Sequence, residues 1–471
     1  MPWPRKLALS MPLPDSAGAT AEDHMTNSIL LGAIADDLSG ATELALALAR
    51  HGMKTVQVMG VPQEGISFGD AEAVVVGLTS RAIPADEAVA MALASVMALR
   101  DAGAEQFLFS YGATLGATVA GNIGPVAEAL LDFLEVPIAL ACSASPAAGL
   151  TVYQGHFFVG SSLVSDTPMH QHKPTPRADS NLVRVLQSQT TARVGLIPLD
   201  IVSAGYEAIR ALLFRAQQAG FRLMVADAVR DADLRVLGEA MAGTRLVTGG
   251  PGIAMGLLEN FRRRGRLGMA AEPERMVAPK GRAIVLAGLG SAALQDQVQA
   301  AIDAGMPALQ LLPSEVASGT QAAADVANWV LRHAGKGPVL VYSSDDPDAV
   351  PAVHEKAGGE AAGTLIGQLL ANLAVILRDN GFSRFIIADG EASSVIVAAL
   401  GVHAFRIGPE IAPGLAWTRS VVGPDLALAL PSGDHVAPDL LLKAWDILDG
   451  PDLSAAQNST GGTGQPQERT A

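Results

Sequence analysis

The 471 residues carry 49% hydrophobic and only 17% charged side chains, which excludes a disordered, solvating chain and provides apolar surface for two cores. With 32 Lys and Arg against 47 Asp and Glu, the formal charge is −15, so neither nucleic acid nor an anionic membrane is an expected partner. The single cysteine, Cys142, rules out an internal disulfide framework and a cysteine-rich zinc site, and it fits a reducing cytoplasm.

At the N-terminus, Pro4-Arg5-Lys6 and the apolar stretch Leu7 to Leu13 superficially resemble a signal peptide. The stretch is short and broken by Pro12 and Pro14, so residues 1–27 are expected to be a disordered extension, with Met25 an alternative start. Ser28 to Ala33 is an apolar run ending in Ile34-Ala35-Asp36-Asp37-Leu38-Ser39-Gly40, and Ala41 to His51 has helical spacing: strand, loop, helix. Strands are expected at Lys54 to Met59, Ala73 to Leu78, Gln106 to Tyr111 and Ile138 to Ala141, with helices at Ala85 to Ala102 and Ile123 to Leu134. No run reaches the ~18 apolar residues of a spanning helix. The nearest, Ala127 to Cys142, contains Glu128, Asp132 and Glu135.

Pro, Gly, His and Ser interrupt every periodic segment from Ser143 to Asp179, as in a long functional loop. Strands then resume at Val194 to Pro198, Arg222 to Ala226 and Arg245 to Thr248, with helices at Ala204 to Gln218 and Asp231 to Met241. Asn260 to Lys280, with its Arg262-Arg263-Arg264-Gly265-Arg266 run, reads as a solvated linker. Beyond it, Ala283 to Ala287, Val339 to Tyr342 and Phe385 to Ile387 look like buried strands leading into Gly- or Ser-containing turns, and Val395 to Leu400 like a helix. The alternation predicts an α/β protein of two domains, 28–243 and 244–450, each a largely parallel sheet flanked by helices, followed by a polar, disordered tail at 451–471.

Ligands of open α/β sheets bind beyond the carboxyl ends of strands, so residues just after strands are the candidates. Asp36 and Asp37 qualify, as a general base, as hydroxyl acceptors or as a helix cap alone. No G-x-x-x-x-G-K-[ST] is present, which disfavours a Walker-type NTPase. Gly250-Pro251-Gly252-Ile253-Ala254-Met255-Gly256 is a weak relative of the dinucleotide fingerprint, and Ala388-Asp389-Gly390-Glu391-Ala392-Ser393-Ser394 is another turn between strand and helix. His170 and His172 lack a third ligand at metal spacing, so an anion contact or a loop role suits them better. No Ser/His/Asp arrangement supports hydrolase chemistry.

Several of these stretches, taken together, resemble the four-carbon acid sugar kinase family: Ala35-Asp36-Asp37-Leu38-Ser39-Gly40-Ala41-Thr42, Gly121-Asn122-Ile123-Gly124-Pro125, Val152-Tyr153-Gln154-Gly155-His156, Asp179-Ser180-Asn181-Leu182-Val183-Arg184, Val247-Thr248-Gly249-Gly250, Val341-Tyr342-Ser343-Ser344 and Ile407-Gly408-Pro409-Glu410-Ile411-Ala412-Pro413-Gly414. They run from about Ile29 to Leu448, and the Val152 to Gly160 stretch is most similar to the 3-oxo-tetronate kinase branch. The resemblance implies a cytoplasmic ATP- and Mg²⁺-dependent kinase acting on the terminal hydroxyl of an acid sugar held by the N-terminal domain, with nucleotide on the C-terminal domain and no metal ligand assigned. It implies Asp36, Asp37, Arg81, Asn122 and His172 at the sugar, with Asp37 as base ahead of Asp36 and Arg81 on the substrate carboxylate. It further implies Ser291, Gly390, Glu391, Ser393 and Gly433 at the nucleotide; a homodimer is carried as an expectation.

The functional loops depart from the family's pattern. Asp389, Ala392 and Ser394 stand where the family's A-G-G-E-T-S-G-A has glycine, threonine and glycine, and Leu430-Pro431-Ser432-Gly433-Asp434-His435-Val436 loses a lysine of L-K-S-G-N-F-G. Gly288 to Leu294 departs from G-S-C-S-x-x-T, Gly116-Ala117-Thr118 from an Asp-Ser-Thr triplet, and Thr79 replaces a lysine before Ser80 and Arg81. Three readings therefore compete: an active kinase, a catalytically impaired relative that binds a small acid, and a nicotinamide enzyme using Gly250 to Gly256.

Overall fold

The computed structural model describes residues 29–81, 83–112, 115, 121–167, 179–268, 276–288, 292–335, 337–343, 362–388, 393–412, 414–431 and 437–449. The chain opens with β1 (Leu31–Ala35), α1 (Leu38–Arg50), β2 (Thr55–Met59), β3 (Ala73–Gly77), α2 (Ala85–Asp101) and β4 (Gln106–Ser110). β1, β3 and β4 are buried at every residue, the continuous apolar run that parallel strands covered on both faces require. α1 buries Ala41, Leu44, Ala45 and Leu48 along one helical face. Its N-cap is Asp37, whose side chain accepts the Gly40 N–H at 2.6 Å, a cap contributing about 1 kcal/mol.

Next come α3 (Ile123–Phe133), β5 (Ala139–Cys142), β6 (Leu150–Tyr153), β7 (His156–Val159), β8 (Ser162–Leu163) and α4 (Leu182–Gln189). The segment expected to be irregular thus carries a three-stranded antiparallel sheet, β6-β7-β8, as far as it is described. Its strands are short and only half-buried, so neither run length nor hydrophobicity marks them. β9 (Arg193–Ile197), α5 (Leu199–Ser203), α6 (Tyr206–Gln218), β10 (Phe221–Ala226), α7 (Asp231–Ala240), β11 (Leu246–Gly249) and α8 (Pro251–Arg263) complete this half. β11 is inserted between β4 and β5, parallel to both. A division at 243/244 would cut it out of the sheet it belongs to, and we place the boundary after α8.

The second half contains β12 (Arg282–Ala287), α9 (Ala292–Asp303), β13 (Ala308–Leu311), α10 (Pro313–Ser318), α11 (Ala323–His333), β14 (Val339–Ser343), α12 (Ala362–Asp379), β15 (Phe382–Ala388), α13 (Ser393–Ala399), β16 (Ala404–Ala412), β17 (Leu415–Val422), β18 (Ala427–Ala429) and α14 (Leu440–Asp449). Its core lies on both sheet faces, with Trp417 fully buried and donating its indole N–H to Ala444 O at 2.7 Å.

The two halves share one sheet, in the order β13-β14-β12-β15-β18-β17-β16-β2-β3-β1-β4-β11-β5-β10-β9. The seam is antiparallel, β2 against β16, through Val58 opposite Ala404, Gln57 opposite Phe405 and Val56 opposite Arg406. β16 and β17 pair with three register shifts, and such bulges bend and twist a ladder. Arg50 on α1 donates to Glu410 on β16 through Nε at 2.7 Å, and Asp70 joins Lys54 to Arg406 across the seam. Among the described residues, no helix is long and apolar enough to cross a membrane.

Cys142 ends β5 and is fully buried, and burial pushes its thiol up to about 12. Native protein at pH 8 is expected to resist a thiol reagent such as dithionitrobenzoate, and to yield one thiol per chain after denaturation. Rapid labelling of folded protein would contradict this packing of β5.

Candidate functional site

Three adjacent parallel strands end side by side in the first half: Ala35 of β1 lies opposite Gly77 of β3 and Ser110 of β4. The residues that follow them in the chain converge. Asp36, 3% exposed, uses its carbonyl to accept the backbone N–H of Ser80 at 3.0 Å and of Arg81 at 3.1 Å. Its carboxylate receives Arg81 Nε at 3.1 Å and Nη2 at 3.0 Å, the two-pronged match of guanidinium and carboxylate. Arg81 Nη2 also meets Asp37 Oδ2. Burial raises the Asp36 carboxyl above its usual range, and the Arg81 bonds pull against that shift. Asp37 is the accessible carboxylate of the pair, with its side chain 23% exposed against 4% for Asp36.

Asn122 belongs to the same cluster but stands behind it. Its Nδ2 donates to Ser80 O at 2.6 Å and Ile83 O at 3.1 Å, so both its N–H groups brace the turn that carries Arg81. The sequence-predicted set Asp36, Asp37, Arg81 and Asn122 is thus brought together, whereas His172, like His170, lies outside the described residues. The bidentate edge of Arg81, expected to take a substrate carboxylate, is occupied by Asp36, because a buried carboxylate needs its own compensating cation.

In the second half, β12, β15 and β18 are neighbouring parallel strands, with Ala287 opposite Ala388 and Ile386 opposite Ala429. Ser291, Gly390 with Glu391, and Gly433 follow those three strands in sequence, and all four lie outside the described residues. Ser393, the first residue of α13, is described and donates to Ile387 O at 3.4 Å. A cavity of about 140 Å³ joins the two halves. It is lined by Leu38 and Thr42 of α1, Gln57 and Met59 of β2, Ser393 and Ser394 of α13, and Leu430 and Pro431 after β18, among others. Residues following the carboxyl ends of strands from both halves therefore meet in one space.

The glycine run Gly250 to Gly256 has a different explanation. A Cβ on Gly252 would lie 2.4 Å from Ala144 O, and one on Gly256 2.2 Å from Leu234 O. The glycines let α8 pack against its neighbours, and the space a dinucleotide would need is filled by protein.

Two residues with structural weight escaped the sequence reading. Asp227, fully buried just after β10, accepts the backbone N–H groups of Gln154 at 2.8 Å, Gly155 at 2.8 Å and Leu199 at 3.0 Å. It clamps the β6–β7 turn, where Gln154 and Gly155 both have positive φ. Its position after a strand is the same signal that singled out Asp36. Gln189 of α4 accepts from Gly124 N at 3.2 Å and donates to Leu115 O at 2.7 Å, tying α3 to the loop before it. No local signal marks that residue.

Comparison with known proteins agrees with this arrangement. Residues 31–257 match the family model for a sugar-binding N-terminal domain, and residues 284–439 the one for a nucleotide-binding C-terminal domain. The chain is 47% identical over 424 residues to a 3-oxo-tetronate kinase of Cupriavidus necator, covering 89% of this chain and 98% of the relative. It is 46% identical over 421 residues to one of Burkholderia multivorans, with 89% and 98% covered. A crystal structure of a Haemophilus influenzae protein superimposes with a TM-score of 0.79 at 34% identity, covering 88% of this chain and all of that one. With both halves matched in order and nearly the whole described fold covered, the chain belongs to the four-carbon acid sugar kinase family.

Proposed function

We propose that this chain is an ATP-dependent kinase that phosphorylates the terminal, C4 hydroxyl of a four-carbon acid sugar, with a 3-oxo-tetronate the first acid to test. The observation that carries the reading is the shared cavity, where the first turn of α1 meets the start of α13. Phosphoryl transfer is mainly a matter of positioning and charge stabilisation, and a space bounded by the helix that Asp37 caps and by Ser393 suits the meeting of acceptor and donor. The relatives' name supplies the substrate class.

In this mechanism the acid's hydroxyl oxygen bonds to the γ-phosphorus while the bond to the bridging oxygen breaks and ADP leaves. The hydroxyl proton passes to Asp37, the accessible carboxylate. Arg81 Nη1 makes no hydrogen bond among the described residues, and it offers the substrate carboxylate a single charged donor in place of a fork. Asn122 keeps the 80–83 turn, and with it Arg81, in register. No group of three His, Cys, Asp or Glu that could hold a metal occurs among the described residues. Mg²⁺ carried in on the nucleotide's phosphates would neutralise their charge. The impaired alternative rests on the departures at Thr79, 116–118, 288–294, 389–394 and 430–436, and nothing in the comparisons favours it.

The test is to incubate purified protein with MgATP and a panel of four-carbon acids, reading ADP release and the phosphorus spectrum of the product. Release above the acid-free rate is expected with one acid or a few, giving a phosphate monoester coupled to the two C4 protons. Release no faster with any acid than without would overturn the proposal.

A further inference from the structure

Gln57 occupies the middle of β2 with β3 on one side and β16 on the other, and it is only 1% exposed. A polar side chain inside so buried a strand requires a reason. Its Nε2 donates to Thr42 Oγ1 at 3.0 Å, and Thr42 Oγ1 in turn donates to Leu38 O at 3.0 Å. A hydroxyl has one proton, so Thr42 can only accept from Gln57. That sets the amide's orientation, nitrogen toward Thr42, and leaves Oε1 buried with no donor among the described residues. A carbonyl in that state costs about 1–3 kcal/mol and is rare in folded proteins. Gln57 and Thr42 both line the cavity between the halves, together with Leu38, the residue directly after Asp37.

We infer that Gln57 Oε1 accepts a hydrogen bond from a hydroxyl of the bound acid, and that it selects hydroxylated four-carbon acids over their deoxy counterparts. The inference rests on the proposed kinase reading and deepens it by naming a donor the substrate must carry. Carboxylate and phosphate oxygens at neutral pH have no proton to give and are disfavoured beside a carbonyl oxygen, whereas an alcohol satisfies it. Because Leu38 shares the cavity, a hydroxyl held by Gln57 lies beside the first turn of α1, where Asp37 caps the helix.

Isothermal titration of the full chain compares a turned-over acid with the same acid carrying hydrogen in place of its C2 hydroxyl, since the single proton of the terminal hydroxyl is directed to Asp37. Wild type is expected to prefer the hydroxylated acid by about tenfold or more. In Gln57→Met, similar in shape but without amide groups, the ratio should fall to within about twofold while MgATP affinity is unchanged. Thr42→Val keeps the acceptor but releases its orientation, and should lose part of the preference. A folded Gln57→Met protein that keeps the wild-type ratio overturns the inference; if that variant does not fold, an unchanged ratio in Thr42→Val does so. Acids that bind and turn over with no change in ratio defeat only the role of Gln57. Absence of binding by any acid to wild type defeats the kinase reading itself, and this inference with it.

Discussion

Asp37→Asn is expected to lower kcat by about 10²–10⁴, the usual contribution of a positioned general base, while leaving the melting temperature nearly unchanged. The substitution separates the two jobs of this residue. Asparagine caps a helix as well as aspartate does, so the bond from Gly40 N that starts α1 is retained. Arg81 remains anchored by its two bonds to Asp36, so the cluster does not collapse around an orphaned guanidinium. What disappears is the proton acceptor. Asp37→Ala, by contrast, should lose both turnover and about 1 kcal/mol of cap. Steady-state kinetics with a turned-over acid, alongside thermal melts, decides the matter. Undiminished kcat in Asp37→Asn would remove Asp37 as the base and turn attention to Asp36, which burial holds in a more basic condition.

Gly238→Ala should destabilise the N-terminal half markedly, although alanine is ordinarily the better helix former by about 1 kcal/mol. α7 and α8 touch backbone to backbone here: a Cβ on Gly238 would lie 2.2 Å from the carbonyl carbon of Gly256 and 2.4 Å from its Cα. No rotamer relieves a clash with backbone, so the helices must move apart and lose the packing of Leu234, Leu237 and Leu257, all buried. The cost belongs at the upper end of the ~1–3 kcal/mol of overpacking, a fall in melting temperature of roughly 5–10 °C. Gly363→Ala in α12 is the control, since nothing lies within 4 Å of its added carbon, and it should be neutral or slightly stabilising. A Gly238→Ala protein melting like wild type would refute the close helix contact.

Much of this protein was determined by its sequence alone. The apolar runs of β1, β3 and β4 and the amphipathic helices between them specify a parallel α/β sheet, because period and burial are local properties of the chain. The doublet Asp36-Asp37 after β1 was legible by the rule that ligands sit beyond strand ends, and the joint motifs identified the family. Asp227 satisfied the same rule, yet its role as a clamp for the 154–155 turn depends on a segment far away in sequence. Gln57 went unmarked within the expected strand Lys54 to Met59, and only the hydroxyl of Thr42 shows which of its amide atoms lacks a partner. The fork of Arg81 and the glycines of α8 each matched a ligand-binding pattern, and packing against Asp36, Ala144 and Leu234 gave them other work. The largest decision left to tertiary structure was the seam. Two domains with separate sheets were the natural expectation, because antiparallel pairing of β2 with β16 joins residues more than three hundred positions apart and leaves no periodic trace in either strand. That long-range pairing, with the bulged β16–β17 ladder beside it, brings the first turn of α1 and the start of α13 to one cavity, and a contact of that kind is set by the fold of the whole chain.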